Sequence, residues 1–163
     1  MEQELLLATS NVKAYYDHAN NWLYLDWHGE ITLNSVRSNC LQLARCFLIR
    51  RYKRILNDNT NVAKVTPEVA PWLANEFLPH LRLLGIEYVA WICSPDMHIQ
   101  NDTEIALEKL TSPVVALFDD MATAYEWLSI AKFQSPVMLN SPQSFTQIMT
   151  ALKERISSLG GTA

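Results

Sequence analysis

Hydrophobic and polar positions divide this chain into short apolar runs and longer stripes of helical period, and the two kinds of segment alternate. Lys13 to Asp17 and Trp22 to His28 are rich in Tyr, Trp and Leu and are separated by H-A-N-N, a turn composition. They read as an opening antiparallel hairpin that Gly29 ends. On its second strand Trp22, Tyr24, Asp26 and His28 share one face, and Leu23, Leu25 and Trp27 the other. Thr32 is a good N-cap, and Val36, Cys40, Leu43, Ala44, Phe47 and Leu48 form the stripe of a first amphipathic helix. The stretch R-I-L-N-D-N-T-N, Arg54 to Asn61, reads as a brief buried strand at Ile55 and Leu56 running straight into a polar loop, Asn57 to Asn61.

Thr66-Pro67-Glu68 supplies a cap, an N1 proline and a first-turn acid. Ala70, Leu73, Phe77, Leu81 and Leu84 carry the stripe of a second helix ending at Gly85. Pro79 lies inside that stripe, where it removes a backbone bond and crowds the carbonyl four residues back, so a kink is expected. Tyr88 to Cys93 is a buried strand that Ser94-Pro95-Asp96 brings to the surface. Asn101 and Glu104 make the cap of a short helix over about residues 102–110. Val114 to Phe118 is the next buried strand, and Asp119 and Asp120 open a helix through Ala124, Trp127 and Leu128. Phe133 to Asn140 is a proline-containing connector. Ser141-Pro142 caps a last amphipathic helix through Phe145, Ile148, Met149, Leu152, Ile156 and Leu159.

Two strands followed by helix and strand in alternation call for an α/β fold: a mixed, mainly parallel sheet with an opening antiparallel hairpin, flanked by helices, plus an extra C-terminal helix. Ligands of such sheets gather at the carboxyl ends of the parallel strands. That singles out Asp58, Asn59, Thr60, Asn61, Ser94, Asp96 and Asp119 as a partner-binding loop edge, although Asx and Thr residues there also serve as turn caps.

Composition narrows the chemistry. At 163 residues the chain is long enough for one domain with a core, and 13 basic against 17 acidic side chains leave a formal charge of -4, which argues against nucleic acid. The basic group Arg50, Arg51, Lys53 and Arg54 reads as cations at a helix C-terminus. The opening M-E-Q-E-L-L-L lacks the positive charge of a secretory signal, and no stretch reaches the roughly 20 apolar residues of a membrane span. A cytoplasmic location is expected. Cys40, Cys46 and Cys93 lack C-x-x-C spacing and read as buried hydrophobes.

With only four glycines, at 29, 85, 160 and 161, neither a G-x-G-x-x-G turn nor a P-loop can be written. No nucleophile elbow exists, the histidines are scattered, and Asp26 with His28 has no nucleophile beside it. Asp58, Asp96, Asp119 and Asp120 follow parallel strands and could gather around Mg²⁺. Each also suits a turn or cap, and no Lys follows the final strand to complete a phosphate site. The expectation is no catalytic residue, no metal and no cofactor. The five tryptophans read as core.

D-N-T-N after the third strand, W-x-x-x-E-x-x-P-x-L-x-x-x-G at Trp72 to Gly85, V-A-W-I-C-S-P at Val89 to Pro95 and F-D-D-x-x-x-A-x-x-W-L at Phe118 to Leu128 together resemble the STAS-like proteins of bacteria. These are relatives of the anti-sigma-factor antagonists, found in Bacteroidetes-type genomes and mostly of unknown function. The resemblance spans residues 13–130, leaving 1–12 as an N-terminal segment and 131–163 as connector and C-terminal helix. In the antagonists an Asp-Ser pair with a nearby Gly follows this strand, and a partner kinase phosphorylates the Ser. Here Asp58 matches the Asp, Asn59 stands in place of the Ser, and Thr60 would be a displaced acceptor, with no Gly in the loop.

What the resemblance implies is a non-enzymatic regulatory module that docks a protein partner through this loop. The alternative is a binder of a small apolar ligand or lipid, as in the CRAL-TRIO-type proteins with which similar sequences are also grouped. Its pocket would lie near Trp72, Leu73, Phe77 and Pro79. The last helix would cover the sheet's flank or that of a second copy, giving a homodimer.

Overall fold

The computed structural model describes residues 2–95 and 110–131. Six strands form a single sheet in sequence order: β1 Gln3–Ala8, β2 Val12–Asp17, β3 Trp22–Ile31, β4 Arg54–Val65, β5 Tyr88–Ile92 and β6 Val114–Phe118. The first three pair antiparallel, and β3 to β6 pair parallel. This is the mixed sheet with an opening hairpin that the alternation of patterns predicts. Two features extend it. Gln3–Ala8 adds an edge strand from within the N-terminal segment, and β3 continues past Gly29 to Ile31. Gly29 takes a positive φ of 79°, and Asn11 Nδ2 straddles it by donating to the carbonyls of His28 and Glu30, each at 3.1 Å. The bend is thereby held inside the strand instead of ending it.

Helix α1, Leu33–Ile49, starts where expected. Thr32 Oγ1 accepts the Ser35 amide and Ser35 Oγ accepts the Thr32 amide, satisfying two end donors reciprocally. Its buried face runs Val36, Asn39, Cys40, Leu43, Ala44, Cys46 and Phe47. Leu48 falls outside it at 54% exposed, because the face turns toward Cys46. The basic residues that follow lie beyond the helix end, contrary to their reading as last-turn cations. Three of them make specific contacts instead: the Arg50 guanidinium lies 3.8 Å from the Tyr16 ring centroid, Lys53 pairs with Glu87 at 3.8 Å, and Arg54 donates to the carbonyls of Leu128 at 3.0 Å and Asn20 at 2.5 Å.

Between β4 and β5 the chain forms one segmented helix: α2 Val69–Trp72, a π turn Leu73–Phe77, α3 Leu78–Leu81 and a 3₁₀ turn Arg82–Leu84. Pro79 lacks an N–H and its ring crowds the carbonyl four residues back, and the predicted kink takes the form of the wide turn just before it. Gly85, at φ 92°, ends the helix in the left-handed conformation. After β6, α4 (Met121–Ile130) is capped by Asp120, whose carboxylate accepts the Thr123 amide at 2.8 Å.

Alternation along the strands creates two cores. On one face Leu23, Leu25, Trp27, Ile55, Val89 and Trp91 pack under α1 and the segmented helix. On the other Trp22, Leu56, Ala90 and Ile92 pack under Ala124 and Leu128 of α4. Trp22, Trp27, Trp72 and Trp91 are all buried, and so are the three cysteines. The short helix expected near residues 102–110 and the last helix, with the dimer contact expected of it, lie outside the described residues. Thr32→Ala, which removes the acceptor of the Ser35 amide and leaves only the backbone half of the cap, is expected to lower stability by about 0.5–2 kcal/mol. The check is a lower urea midpoint with an unchanged denaturant slope.

Candidate functional site

The polar run after Leu56 is not a loop. Because β3 extends to Ile31, it offers backbone partners up to Val65, and β4 carries straight through Asn57, Asp58, Asn59, Thr60 and Asn61. Asn57, Asp58 and Asn59 are 6%, 5% and 4% exposed, and Ser94 only 1%. Three of the seven residues expected to form an exposed docking edge are therefore interior. Thr60 and Asn61 are exposed on the strand, Asp119 is exposed at the end of β6, and Asp96 lies outside the described residues.

Burial demands partners for these side chains, and residues far away in sequence supply them. The Trp27 indole N–H donates to Asn57 Oδ1 at 2.9 Å, and Asn59 Nδ2 donates to the Ile92 carbonyl at 3.0 Å. Asp58, on the opposite face, accepts from the Tyr24 hydroxyl at 3.2 Å and from the Thr60 amide at 2.9 Å. The Thr60 hydroxyl also donates to Asp58, so the residue considered as a displaced phosphate acceptor is tied back to its own strand.

Between the first face of the sheet and the helices lies a partly enclosed cleft of about 60 Å³. The π turn presents Leu73 and Phe77 to it, α1 presents Cys40 and Leu43, and the sheet floor contributes Trp27, Asn57 and Trp91. Leu73 and Phe77, two of the four residues considered for a pocket, line the cleft. Trp72 and Pro79 do not line it. Trp72 stacks on Phe77 at 6.1 Å with ring planes 13° apart, under the Arg37 guanidinium, because it stands about 100° round the helix from Leu73. Every lining side chain is uncharged, and burial pushes the Cys40 thiol well above its ordinary range, keeping it protonated.

The floor also holds groups with unused capacity. Trp91 is 6% exposed, and its indole N–H is buried with no hydrogen-bond partner among the described residues. Asn57 accepts from Trp27 through its oxygen, which leaves Nδ2 as the donor of that side chain. Sequence patterning shows these only as a strand tryptophan and a turn-type asparagine. The signal that brings them together is the parallel register in which Asn57 faces Trp91.

On the other face Tyr15 stacks on Tyr24 at 5.8 Å, and Asp26 stands beside Asp58 across the strand pair with its Oδ1 buried and unpartnered among the described residues. Burial first, then Asp58 and Asp26, push the Tyr24 hydroxyl far up. Of the carboxylates weighed for Mg²⁺, Asp58 is bonded to Tyr24 and Thr60, Asp120 caps α4, and Asp96 lies outside the described residues. Among the described residues no group of three or more His, Cys, Asp or Glu is placed to hold a metal ion. None of the described helices is long and apolar enough to cross a membrane.

No family model and no curated protein matches the chain. Among solved structures it is similar to an uncharacterized protein of the DUF3478 family with a SpoIIAA-like fold from Shewanella loihica PV-4. The two are 15% identical over 78% of this chain and 92% of that one, with a TM-score of 0.43.

Asn57→Leu leaves the Trp27 indole buried without an acceptor and is expected to cost about 1–3 kcal/mol. Combining it with Trp27→Phe should recover part of that loss in a double-mutant cycle, and simple additivity would show that the pair is not coupled. Alkaline pH acts through the tyrosines. Burial pushes Tyr52 up to about 12, above its unfolded value of roughly 10. Its contribution is complete below pH about 10 and disappears as pH rises through about 12, since the unfolded chain ionises first. Urea midpoints measured from pH 8 to 12 are expected to fall across that window, and Tyr52→Phe should flatten the fall.

Proposed function

We propose that this chain is a non-enzymatic binding module whose ligand is a small apolar molecule held in the cleft between the sheet and the segmented helix. The observation that carries this reading is the cleft itself, walled by apolar side chains and floored by Asn57 and by Trp91, whose indole donor has no partner among the described residues. Such a combination of apolar walls and a few placed polar groups is the usual make-up of a small-molecule site. An engineered apolar cavity of about 150 Å³ takes up benzene. A cleft of about 60 Å³ suits a smaller group, or one end of a molecule whose remainder occupies the open mouth.

A docking edge on the polar run has less support, since Asp58, Asn59 and Ser94 are interior. The non-enzymatic reading is supported by what surrounds the nucleophile candidates: the cysteines are buried thiols, and burial raises both Cys40 and Cys46.

Gently purified protein, weighed by native mass spectrometry before and after denaturation, is expected to carry a non-covalent mass that denaturation removes. Leu73→Trp and, independently, Ala70→Leu fill the cleft, and each should lose that mass while remaining folded. The same extra mass on both folded variants, or a bare polypeptide mass for the unsubstituted protein, would overturn the cleft as the ligand site.

A further inference from the structure

We propose that the ligand of this cleft is electrically neutral and presents a carbonyl oxygen, of ketone, ester or amide type, to the Trp91 indole N–H and the Asn57 amide. The proposal rests on the reading of the cleft as a ligand site and specifies its chemistry.

The donors come first. Buried indole N–H groups and side-chain amides find partners almost without exception, yet Trp91 Nε1 has none among the described residues. Asn57, 6% exposed, accepts from Trp27 through its oxygen. This fixes the amide orientation and leaves Nδ2 as the donor over the cleft floor. Asn57 and Trp91 are direct partners across the parallel β4–β5 pair, so their side chains rise from the same face next to each other. A carbonyl oxygen has two lone pairs and can accept from both. Asn59, the next residue on that face, donates its amide to the Ile92 carbonyl and does not compete.

Charge decides the rest. The side chains around the cleft are aliphatic, aromatic, thiol or carboxamide, with no lysine, arginine, histidine or carboxylate among them. A ligand carboxylate would be desolvated with no cation to compensate it, and neutral donors alone make a poor exchange for water. A pure hydrocarbon would leave the Trp91 donor unmatched. The floor therefore favours a neutral acceptor over an anion and over a hydrocarbon of the same shape.

Toluene, acetophenone and benzoate share a ring and carry on it a small apolar group, a neutral acceptor and an anion. In the ¹⁵N-labelled full-length protein the five tryptophans give indole N–H resonances, and Trp91→Phe identifies that of Trp91. Acetophenone is expected to bind roughly three- to tenfold more tightly than toluene, the effect of a hydrogen bond gained by a buried donor, and to move the Trp91 indole proton downfield. Benzoate at neutral pH should bind more weakly than either. Trp91→Phe should abolish the advantage of acetophenone and leave toluene binding in place.

Equal affinities for toluene and acetophenone, as when a trapped water already satisfies the donors, or benzoate bound as tightly as acetophenone, would overturn the proposal and leave the cleft a ligand site. Failure of all three to bind, together with a bare polypeptide mass in the native spectrum of the unsubstituted protein, would overturn the cleft reading itself. The comparison among ligands is made on the unsubstituted protein, so it does not depend on the variant folding.

Discussion

Three consecutive polar side chains, Asn57, Asp58 and Asn59, pass through the centre of the sheet, and the rest of the structure is arranged so that each of them is bonded. Alternation sends Asn57 and Asn59 to the helix-covered face and Asp58 to the other, so the bonds come from both sides of the sheet. Trp27 reaches Asn57 from β3, and the backbone of β5 meets Asn59. Tyr24 and the following Thr60 meet Asp58. Leaving any one of these groups unpaired in the interior would cost about 1–3 kcal/mol. The length of β3, the placement of two aromatic residues on its opposite faces and the continuity of β4 thus serve one requirement.

The helix layer is set by a second local constraint. Pro79 cannot donate to the turn before it, and the chain answers with a π turn in which the Leu78 amide bonds back to the Leu73 carbonyl. Leu73 and Phe77 are four residues apart on that wider turn and both face the sheet, while Trp72 is carried round to lie between Phe77 and Arg37. A straight α-helix would place the same stripe differently. The cleft is accordingly a product of two sequence features remote from each other, a proline in the helix and an asparagine in the strand.

The periodicities of the chain were enough to read the helix starts at Thr32 and Asp120, the strands at Val114 and Tyr88 and the break at Pro79, because caps, apolar runs and proline act locally. They were not enough to read β4. Asn-Asp-Asn-Thr-Asn has the composition of a loop, and what keeps it in a strand is pairing with β3, more than 30 residues earlier in the chain. The stripe does put Leu73 and Phe77 on one face and Trp72 about 100° away from Leu73, and Trp72 lies between Phe77 and Arg37 outside the cleft. The Trp91 indole reads simply as core. Only the register shows it beside Asn57, and only a census of partners shows that its N–H is unused among the described residues.

The division of polarity between the two faces explains why register matters here more than in an ordinary sheet. The amides Asn57 and Asn59 floor an uncharged cleft, and Asp58 lies on the opposite face beside Asp26 and Tyr24. A slip of one residue would exchange the faces, bringing the Asp58 carboxylate into the cleft and burying the two amides under α4. The pairing of β3 with β4 shifts twice, between Asp26 and His28 and again between Gly29 and Glu30, and both shifts lie after Asp58. The pairs from Leu23 with Ile55 to Asp26 with Asp58 are therefore in unbroken register, and the irregularity is confined to the outer end, where Thr60 turns back onto Asp58. Regular pairing is kept where the faces must not be exchanged, and the strands bend only beyond it.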